Sequence, residues 1–240
     1  MSESCIVRRF RHSADLRAHD IGLLETLEGS ARIYAKHSIV RAQQQPVTCI
    51  YTLHSGWAFG YRILANGDRQ VLDIFLPGDV MGLRDLACKR SNIGFATLTE
   101  AEVCAVPRRR LGELFQESTH LTNLFFMIAA REQAMLLERV VNLGRRSAIQ
   151  KVSHLLMEIC VRLERVDPHL EVDCELPLSQ ALLADALGLS EIHVNRTLRR
   201  LRENGLVETC GGAIRLLDRE RLEALAEFDA VYLEEDASWL

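Results

Sequence analysis

Residues 179–205, SQALLADALGLSEIHVNRTLRRLRENG, decide the fold of the C-terminal half of the chain. Ser179 and Ser190 are residue types that cap helix N-termini, and Gly188 between them permits a tight turn. Gly205 is suited to end the second helical segment. The first segment has one apolar stripe, formed by Leu182, Leu183 and Leu187. The pattern therefore predicts two short helices joined by a turn, a helix-turn-helix.

The second predicted helix has two different faces. At about 100° per residue, one face is apolar and consists of Val194, Leu198 and Leu201. The opposite face carries Ile192, Arg196, Arg199 and Glu203. An outward isoleucine and arginine suit a DNA major groove, where they can cover a thymine methyl group and bond a guanine. The alternative is an amphipathic surface helix whose arginines are only solvated.

A hairpin is predicted directly after this helix. Two short apolar runs in residues 206–217 flank Gly211 and Gly212, and a glycine pair between such runs favours a two-residue hairpin turn. A hairpin in this place would form the wing of a winged helix-turn-helix.

Composition limits the class of protein. A chain of 240 residues with 48% apolar and 26% charged residues is ordinary for a globular protein, and its length favours two domains. A net charge of −4 argues against a histone-like coating protein. It does not argue against a site-specific DNA-binding protein, because residues 190–221 hold seven arginines and five acidic residues.

The sequence also predicts the cellular compartment. No apolar run approaches the ~18 to 20 residues of a membrane span, and the first residues lack an uninterrupted signal-peptide core. The seven cysteines include no Cys-x-x-Cys pair, which argues against a zinc site and a disulfide framework. We therefore expect a cytoplasmic protein with no membrane partner, in which Cys5 and Cys210 are the more exposed thiols.

The first half of the chain has the pattern of short strands. Apolar stretches over residues 31–106 alternate with turn residues, and Asn66-Gly67 between two such stretches is a strong hairpin signal. Several strands at this spacing predict a small antiparallel barrel or jelly roll. A helical rhythm resumes at residues 108–114.

A long helix is predicted over residues 118–143. Its apolar residues recur at threes and fours, which is enough for a seam against a partner helix. The residues predicted to form a dimer seam are Leu121, Leu124, Phe125, Ile128, Met135 and Leu136. The alternative is a helix that packs on its own barrel. Residues 144–147 then break the pattern before a new helix over residues 148–163.

Four short motifs in this order resemble the CRP/FNR family of bacterial transcription regulators, and its FixK-type branch in particular. They are residues 55–58 (SGWA), 67–70 (GDRQ), 76–79 (LPGD) and 193–198 (HVNRTL). The resemblance covers roughly residues 20–225. It implies an α+β protein with an N-terminal β jelly roll that senses an effector, a dimerisation helix and a C-terminal winged helix-turn-helix.

The expected domains are an N-terminal segment (1–20), a β-barrel (21–117), the dimerisation helix (118–143), the DNA-binding domain (144–225) and a tail (226–240). The family implies three partners: double-stranded DNA, a second copy of the chain and RNA polymerase. It implies regulation by binding rather than enzymatic catalysis.

Carried over from the family, the base-reading positions fall at Glu191, Ile192, Asn195 and Arg196. Ser179 and Gln180 fall near the phosphates, and we expect Arg199 to contact a phosphate as well. Ser190 and His193 complete the predicted DNA-binding set. Many members have glutamate where this chain has Ile192, so its half-site preference should differ from theirs.

The sensory half departs from the cyclic-nucleotide-binding members, which place a Gly-Glu pair and an Arg-Ser pair in one loop. This chain has Gly82-Leu83, so cyclic AMP is not the expected effector. The residues that could still bind an effector are Arg84, Arg90 and Ser91. An iron-sulfur cluster is not expected, because only one cysteine lies near the N-terminus. Haem stays open, since histidines occur at positions 12, 19, 37, 54 and 120.

Two other classes compete with this interpretation. Small jelly rolls also house metal-dependent enzymes, which usually bring two histidines together as His-x-His, and no such pair occurs here. The second rival is a signalling adaptor that does not bind DNA. Binding that falls steeply with salt concentration would indicate DNA, because phosphate contacts release counterions.

Overall fold

The computed structural model describes residues 4–11, 14–27, 31–166 and 175–237. The described residues divide into two compact units. The first takes those in the ranges 1–63, 72–132 and 235–240, and the second takes residues 64–71 and 133–234.

Two helices that the sequence did not predict begin the first unit: α1 (Cys5–Arg11) and α2 (Ala18–Leu27). Ile6, Val7 and Phe10 are at most 1% exposed and belong to the core of this unit. The expected boundary after residue 20 falls inside α2. Helix α1 is therefore packed into the first unit's core and is not a separate segment.

Eight strands in two four-stranded sheets follow. They are β1 (Arg32–Tyr34), β2 (Ile39–Arg41), β3 (Cys49–Ser55), β4 (Ala58–Ile63), β5 (Arg69–Phe75), β6 (Val80–Met81), β7 (Gly94–Thr97) and β8 (Ala101–Pro107). The sheet orders are β1-β8-β3-β6 and β2-β7-β4-β5. The pairs β1-β8, β8-β3, β3-β6, β2-β7 and β7-β4 are antiparallel. The predicted jelly roll is confirmed.

Local chemistry fixes the turns of this roll. Asn66 accepts a hydrogen bond from the Asp68 backbone N–H (3.1 Å), and Gly67 takes a φ of +90° in the turn between β4 and β5. At Gly56 (φ +77°) a side chain would overlap the backbone of Glu100. Glycine is required at position 56 for space as well as for conformation.

A buried ion pair lies inside the roll. The guanidinium of Arg41 bonds the carboxylate of Asp85, which lies in a 3-10 helix (Leu83–Ala87), and both side chains are about 5% exposed. The same guanidinium lies over the Phe95 ring, 4.3 Å from its centroid, and donates to the Ile93 carbonyl. A buried charge of this kind is tolerated because it is paired and hydrogen-bonded.

Helices α3 (Arg108–Glu117) and α4 (Thr119–Arg145) follow the roll. The N-terminal half of α4 packs into the core of the first unit, where the Phe125 ring lies 5.0 Å from that of Phe10 and 5.4 Å from that of Phe115. The helix continues through Gly144, so the predicted break comes only at residues 146–147.

The second unit contains the remaining elements. They are α5 (Ala148–Val166), β9 (Glu175–Leu176), α6 (Gln180–Leu187), α7 (Glu191–Glu203), β10 (Val207–Cys210), β11 (Ala213–Leu216), α8 (Arg219–Ala226) and a 3-10 helix (Val231–Leu233). The sheet order is β10-β11-β9. The two-residue strand β9 was not predicted, because it is too short to carry a pattern.

Within the described residues, no helix is both long enough and apolar enough to cross a membrane. The expected tail also has structure, because Leu233 is fully buried and packs with Met135 and Val161.

Candidate DNA-binding site

The site is built from α6, the turn after it and α7, and the predicted caps hold both helices. The Ser179 hydroxyl accepts from the Leu182 backbone N–H, and the Ser190 hydroxyl accepts from the His193 N–H, each at 3.2 Å. Gly188 takes the left-handed conformation (φ +60°) at the end of α6. These contacts satisfy backbone groups that a helix end leaves unpaired.

The two faces of α7 are those that the sequence predicted. Val194, Leu198 and Leu201 are at most 1% exposed and dock the helix, whereas Ile192 is 74% exposed. Leaving so large an apolar side chain in water gives no stability to the protomer. Ile192 therefore lies where a partner molecule can cover it.

The predicted DNA-binding residues lie around the exposed face of α7. Gln180 is half-buried at the start of α6, and the others are exposed: Ser179, Ser190, Glu191, Ile192, His193, Asn195, Arg196 and Arg199. The two arginines differ in their surroundings. Arg199 pairs with Glu203 at 2.8 Å, while Arg196 makes no ion pair or hydrogen bond within the described residues. The guanidinium of Arg196 is free to bind a ligand.

Two contacts at the site were not predicted. The side-chain amide of Asn195 donates to the Gln180 side-chain oxygen at 3.0 Å, which joins α7 to the start of α6. Arg202 on α7 donates to the Thr209 hydroxyl on β10 at 2.8 Å. Neither pair has a sequence signal, because the partners are 15 and 7 residues apart in different elements.

The predicted wing is a hairpin of β10 and β11. Gly211 (φ +59°) and Gly212 (φ +85°) both take positive φ in its two-residue turn. Two successive positive φ angles define the turn that suits the twist of paired strands. Cys210, next to the turn, is exposed as expected, and the side chain of Cys5 lies outside the described side chains.

Most of the predicted dimer seam lies inside the protomer. Five of the six residues are at most 5% exposed: Leu121, Leu124, Phe125, Ile128 and Met135. Leu136 is 41% exposed. A different stripe of α4 is left uncovered, formed by Phe126, Leu137, Val140 and Val141, which are 47–66% exposed. We call this set the outer stripe.

The predicted effector-binding residues are occupied by protein partners. Arg84 bonds Asp73 and lies 3.9 Å from Glu132 on α4. Arg90 donates to the Gln44 backbone carbonyl at 2.9 Å. Ser91 is buried and exchanges hydrogen bonds with the backbone of Ile93. The structure does not bring these three side chains together on a shared partner.

Of the histidines that left haem open, His120 and His54 have side-chain contacts, whereas His19 and His37 are exposed. His120 bonds Asp20 at 2.9 Å, and together with the Ser118 hydroxyl it lowers the pKa of that carboxyl against the opposing effect of burial. His54 lies 3.7 Å from Glu102. His12 lies outside the described residues.

Comparison with known proteins identifies both halves of the chain. A cyclic nucleotide-binding domain matches residues 31–118, and a Crp-like helix-turn-helix domain matches residues 150–225. The nitrogen fixation regulation protein FixK of Bradyrhizobium diazoefficiens is 30% identical over 222 residues, which cover 92% of each chain. The transcriptional activator protein anr of Pseudomonas aeruginosa is 24% identical over 88% of this chain and 86% of its own length.

A solved structure supports the same family assignment. FixK2 from Bradyrhizobium japonicum superimposes with a TM-score of 0.74 at 26% identity, over 82% of this chain and 96% of FixK2. The relative at 30% identity spans nearly the whole chain, and the two domain models match in the order that the fold requires. The chain belongs to the CRP/FNR family of DNA-binding transcription regulators.

Proposed function

We propose that the protein binds an inverted-repeat DNA operator as a homodimer, with Arg196 on a guanine and Ile192 against a thymine methyl group. The observation that carries this proposal is the 74% exposed Ile192 beside the unpaired Arg196, on the face of α7 opposite its docked side. An apolar contact to thymine and a bidentate arginine contact to guanine are the readout that these two side chains provide. Half-sites would lie about 34 Å apart, one helical turn of DNA.

The outer stripe of α4 supports a second copy of the chain as the partner. Phe126, Leu137 and Val140 recur on one side of the helix at intervals of 11 and 3 residues, and these intervals fit a heptad seam. Uncovered apolar side chains on one long helix favour burial against the same stripe of another protomer. A two-fold dimer would present two recognition helices to a two-fold operator.

The Pseudomonas aeruginosa relative is named a transcriptional activator, which supports activation of transcription as the outcome. Contact with RNA polymerase would then follow operator binding. Regulation by binding needs no catalytic step. A protein that binds an operator in bacterial DNA works in the cytoplasm, because the DNA lies there. Transcription in vitro from a promoter that carries the selected operator tests the sign of regulation. More transcript with the protein present supports activation, and less transcript contradicts it.

We infer further that cyclic AMP is not the effector of the β roll. Leu83, which stands where cyclic-nucleotide binders have glutamate, is buried, and Arg84 is already paired with Asp73. Calorimetry with cyclic AMP should give no binding at micromolar ligand. Binding that also raises operator affinity would contradict this, because a ligand acts only through differential affinity for the active state.

Selection of binding sites from random DNA tests the main proposal. An inverted repeat is the expected product, and Arg196→Ala should cost roughly 1 to 3 kcal/mol per half-site and relax preference at one base pair. Ile192→Ala should lower the preference for thymine over cytosine at its position. Arg199→Ala is the matched control, since loss of a phosphate contact weakens all sequences alike and flattens the salt dependence. Selected sites without a palindrome, or full affinity in Arg196→Ala, would rule the proposal out.

A further inference from the structure

The hydrogen bond between Asn195 and Gln180 has a consequence for sequence recognition, on the premise that α7 enters the major groove as proposed above. The bond runs from Asn195 Nδ2 to Gln180 Oε1 at 3.0 Å. It ties the exposed face of the recognition helix to the first turn of α6. Both amides keep further bonding capacity, because each carries two N–H groups and an oxygen with two lone pairs.

We infer that Asn195 and Gln180 act together as one reading group for adenine. The bond uses one N–H of Asn195 and one lone pair of Gln180, so Asn195 Oδ1 stays available as an acceptor and Gln180 Nε2 stays available as a donor. Neither atom has another hydrogen-bond partner within the described residues. An acceptor and a donor side by side complement the N6 amino group and N7 atom of adenine.

The same arrangement disfavours the other bases. Guanine presents two acceptors, N7 and O6, so Asn195 Oδ1 would face another acceptor and stay unsatisfied. Thymine presents an acceptor and a methyl group, and cytosine presents a donor without the neighbouring N7. The pair therefore favours adenine at one position of each half-site, near the guanine that Arg196 contacts.

Gln180 can hold the Asn195 side chain in place because the backbones of both residues are fixed. The bond from Leu182 N–H to the Ser179 hydroxyl fixes the backbone on either side of it, and the docked face of α7 fixes the backbone of Asn195. Two short side chains on fixed backbones lose little further freedom when they bond a base. Gln180, which the family resemblance places near the phosphates, thus has a specificity-determining role in this chain.

Binding measurements on the selected operator test the inference. The parent protein should prefer adenine at one half-site position by about tenfold to a hundredfold. Asn195→Ala should abolish that preference while it leaves the guanine preference at the Arg196 position intact. Gln180→Ala should reduce the adenine preference by a similar factor, and the double variant should lose little more than either single variant, because the two amides act as one unit.

Modified bases separate the two contacts. Replacement of the adenine by 7-deazaadenine removes the N7 acceptor, and replacement by purine removes the 6-amino donor. Each should weaken binding by the parent about tenfold and leave binding by Asn195→Ala unchanged. Gln116→Ala, an exposed glutamine on α3 outside the DNA-binding unit, is the matched control and should behave as the parent.

The experiments distinguish a failure of the proposed function from a failure of this inference. If the parent selects no inverted repeat, the proposed function is wrong. If it selects a repeat but Gln180→Ala weakens all sequences equally and keeps the adenine preference, Gln180 is a phosphate contact and this inference is overturned. The inference is also overturned if Asn195→Ala keeps the adenine preference.

Discussion

The helices α7 and α4 both expose apolar side chains, but they do so for different reasons. α7 has one buried face, and Ile192 stands alone among charged and polar residues on the other face. α4, with 27 residues, has an uncovered outer stripe and a buried inner stripe, which consists of Leu121, Leu124, Phe125, Ile128 and Met135. Phe125 and Phe126 are neighbours in sequence yet are 2% and 66% exposed. Apolar periodicity thus shows that a helix has a buried side, and it does not show how many partners the helix has.

The inner stripe of α4 should give the largest effect. Phe125→Ala removes a ring that contacts Phe10 and Phe115, so we expect the free energy of unfolding to fall by about 3 to 5 kcal/mol. Urea denaturation followed by circular dichroism measures this. Phe126→Ala, measured below the dimer dissociation constant, is the matched control and should change the value by less than about 1 kcal/mol. Equal losses in both variants would show that the stripes do not differ.

The outer stripe should affect association rather than folding. Burial of a large apolar side chain is worth about 1.5 to 3 kcal/mol, so Phe126→Ala and Leu137→Ala should each weaken the dimer roughly tenfold to a hundredfold. Sedimentation equilibrium measures the dissociation constant, and operator affinity should fall in parallel. Ile33→Ala removes a similarly exposed apolar side chain on β1 and serves as the control. If neither α4 change alters the dissociation constant, the dimer interface lies elsewhere.

α4 also carries an ionisable side chain, Glu132, on the same side of the helix as the inner stripe. Burial raises the pKa of Glu132 to about 7, an effect that Asp73 and Asp79 reinforce and that Arg84 and Arg131 oppose. The folded protein therefore binds this proton more tightly than the unfolded chain, whose carboxyl has a pKa near 4.5. The contribution of Glu132 to stability is fully present below pH 4.5 and is lost as the pH rises through about 7.

Glu132→Gln should remove that pH dependence, because glutamine stays neutral. At pH 8 the variant should be more stable than the parent by about 1 to 3 kcal/mol, and at pH 4.5 the two should be similar. Thermal unfolding between pH 4.5 and 8 measures the difference. Glu203→Gln, an exposed glutamate on α7, is the comparison and should leave the pH profile unchanged. A less stable Glu132→Gln at pH 8 would contradict the predicted sign.

The smallest effect is expected at the start of α7. Ser190→Ala removes the acceptor for the His193 N–H and should cost about 1 kcal/mol of stability. Hydrogen exchange of the His193 amide should become faster, and affinity for all DNA sequences should fall slightly because the first turn of the helix frays. Ser55→Ala, at an exposed serine that caps no helix, should change neither quantity. Unchanged exchange at His193 would mean that the cap does not hold the turn.

The part of the fold that the sequence predicted is the part that local chemistry controls. Ser179, Gly188 and Ser190 have strong positional preferences, and the Gly211-Gly212 turn has one as well, so the winged helix-turn-helix could be placed from residues alone. The first helix, Cys5–Arg11, could not, because seven residues with scattered apolar positions carry too little periodicity. The inner and outer stripes of α4 could not be told apart, since both satisfy the same spacing.

The candidate site also has features that the sequence predicts and features that it does not. The outward position of Ile192 and Arg196 follows from the helical spacing of the apolar residues of α7, which can be read from the sequence. The bond between Asn195 and Gln180 depends on how α7 crosses α6, and that angle is set by packing of both helices. Arg84, Arg90 and Ser91 were grouped by family spacing, but each has a partner of its own: Asp73 on β5 for Arg84, the Gln44 carbonyl for Arg90 and the nearby Ile93 backbone for Ser91.

The ion pair of Arg41 and Asp85 constrains how this chain can evolve. Loss of either partner alone leaves a buried unpaired charge and costs about 3 to 5 kcal/mol, a large share of the stability of a typical domain. Replacement of both by apolar residues of similar volume is often neutral or favourable. Descendants of this sequence should therefore keep both residues or change both, and alignments of close relatives should show positions 41 and 85 varying together.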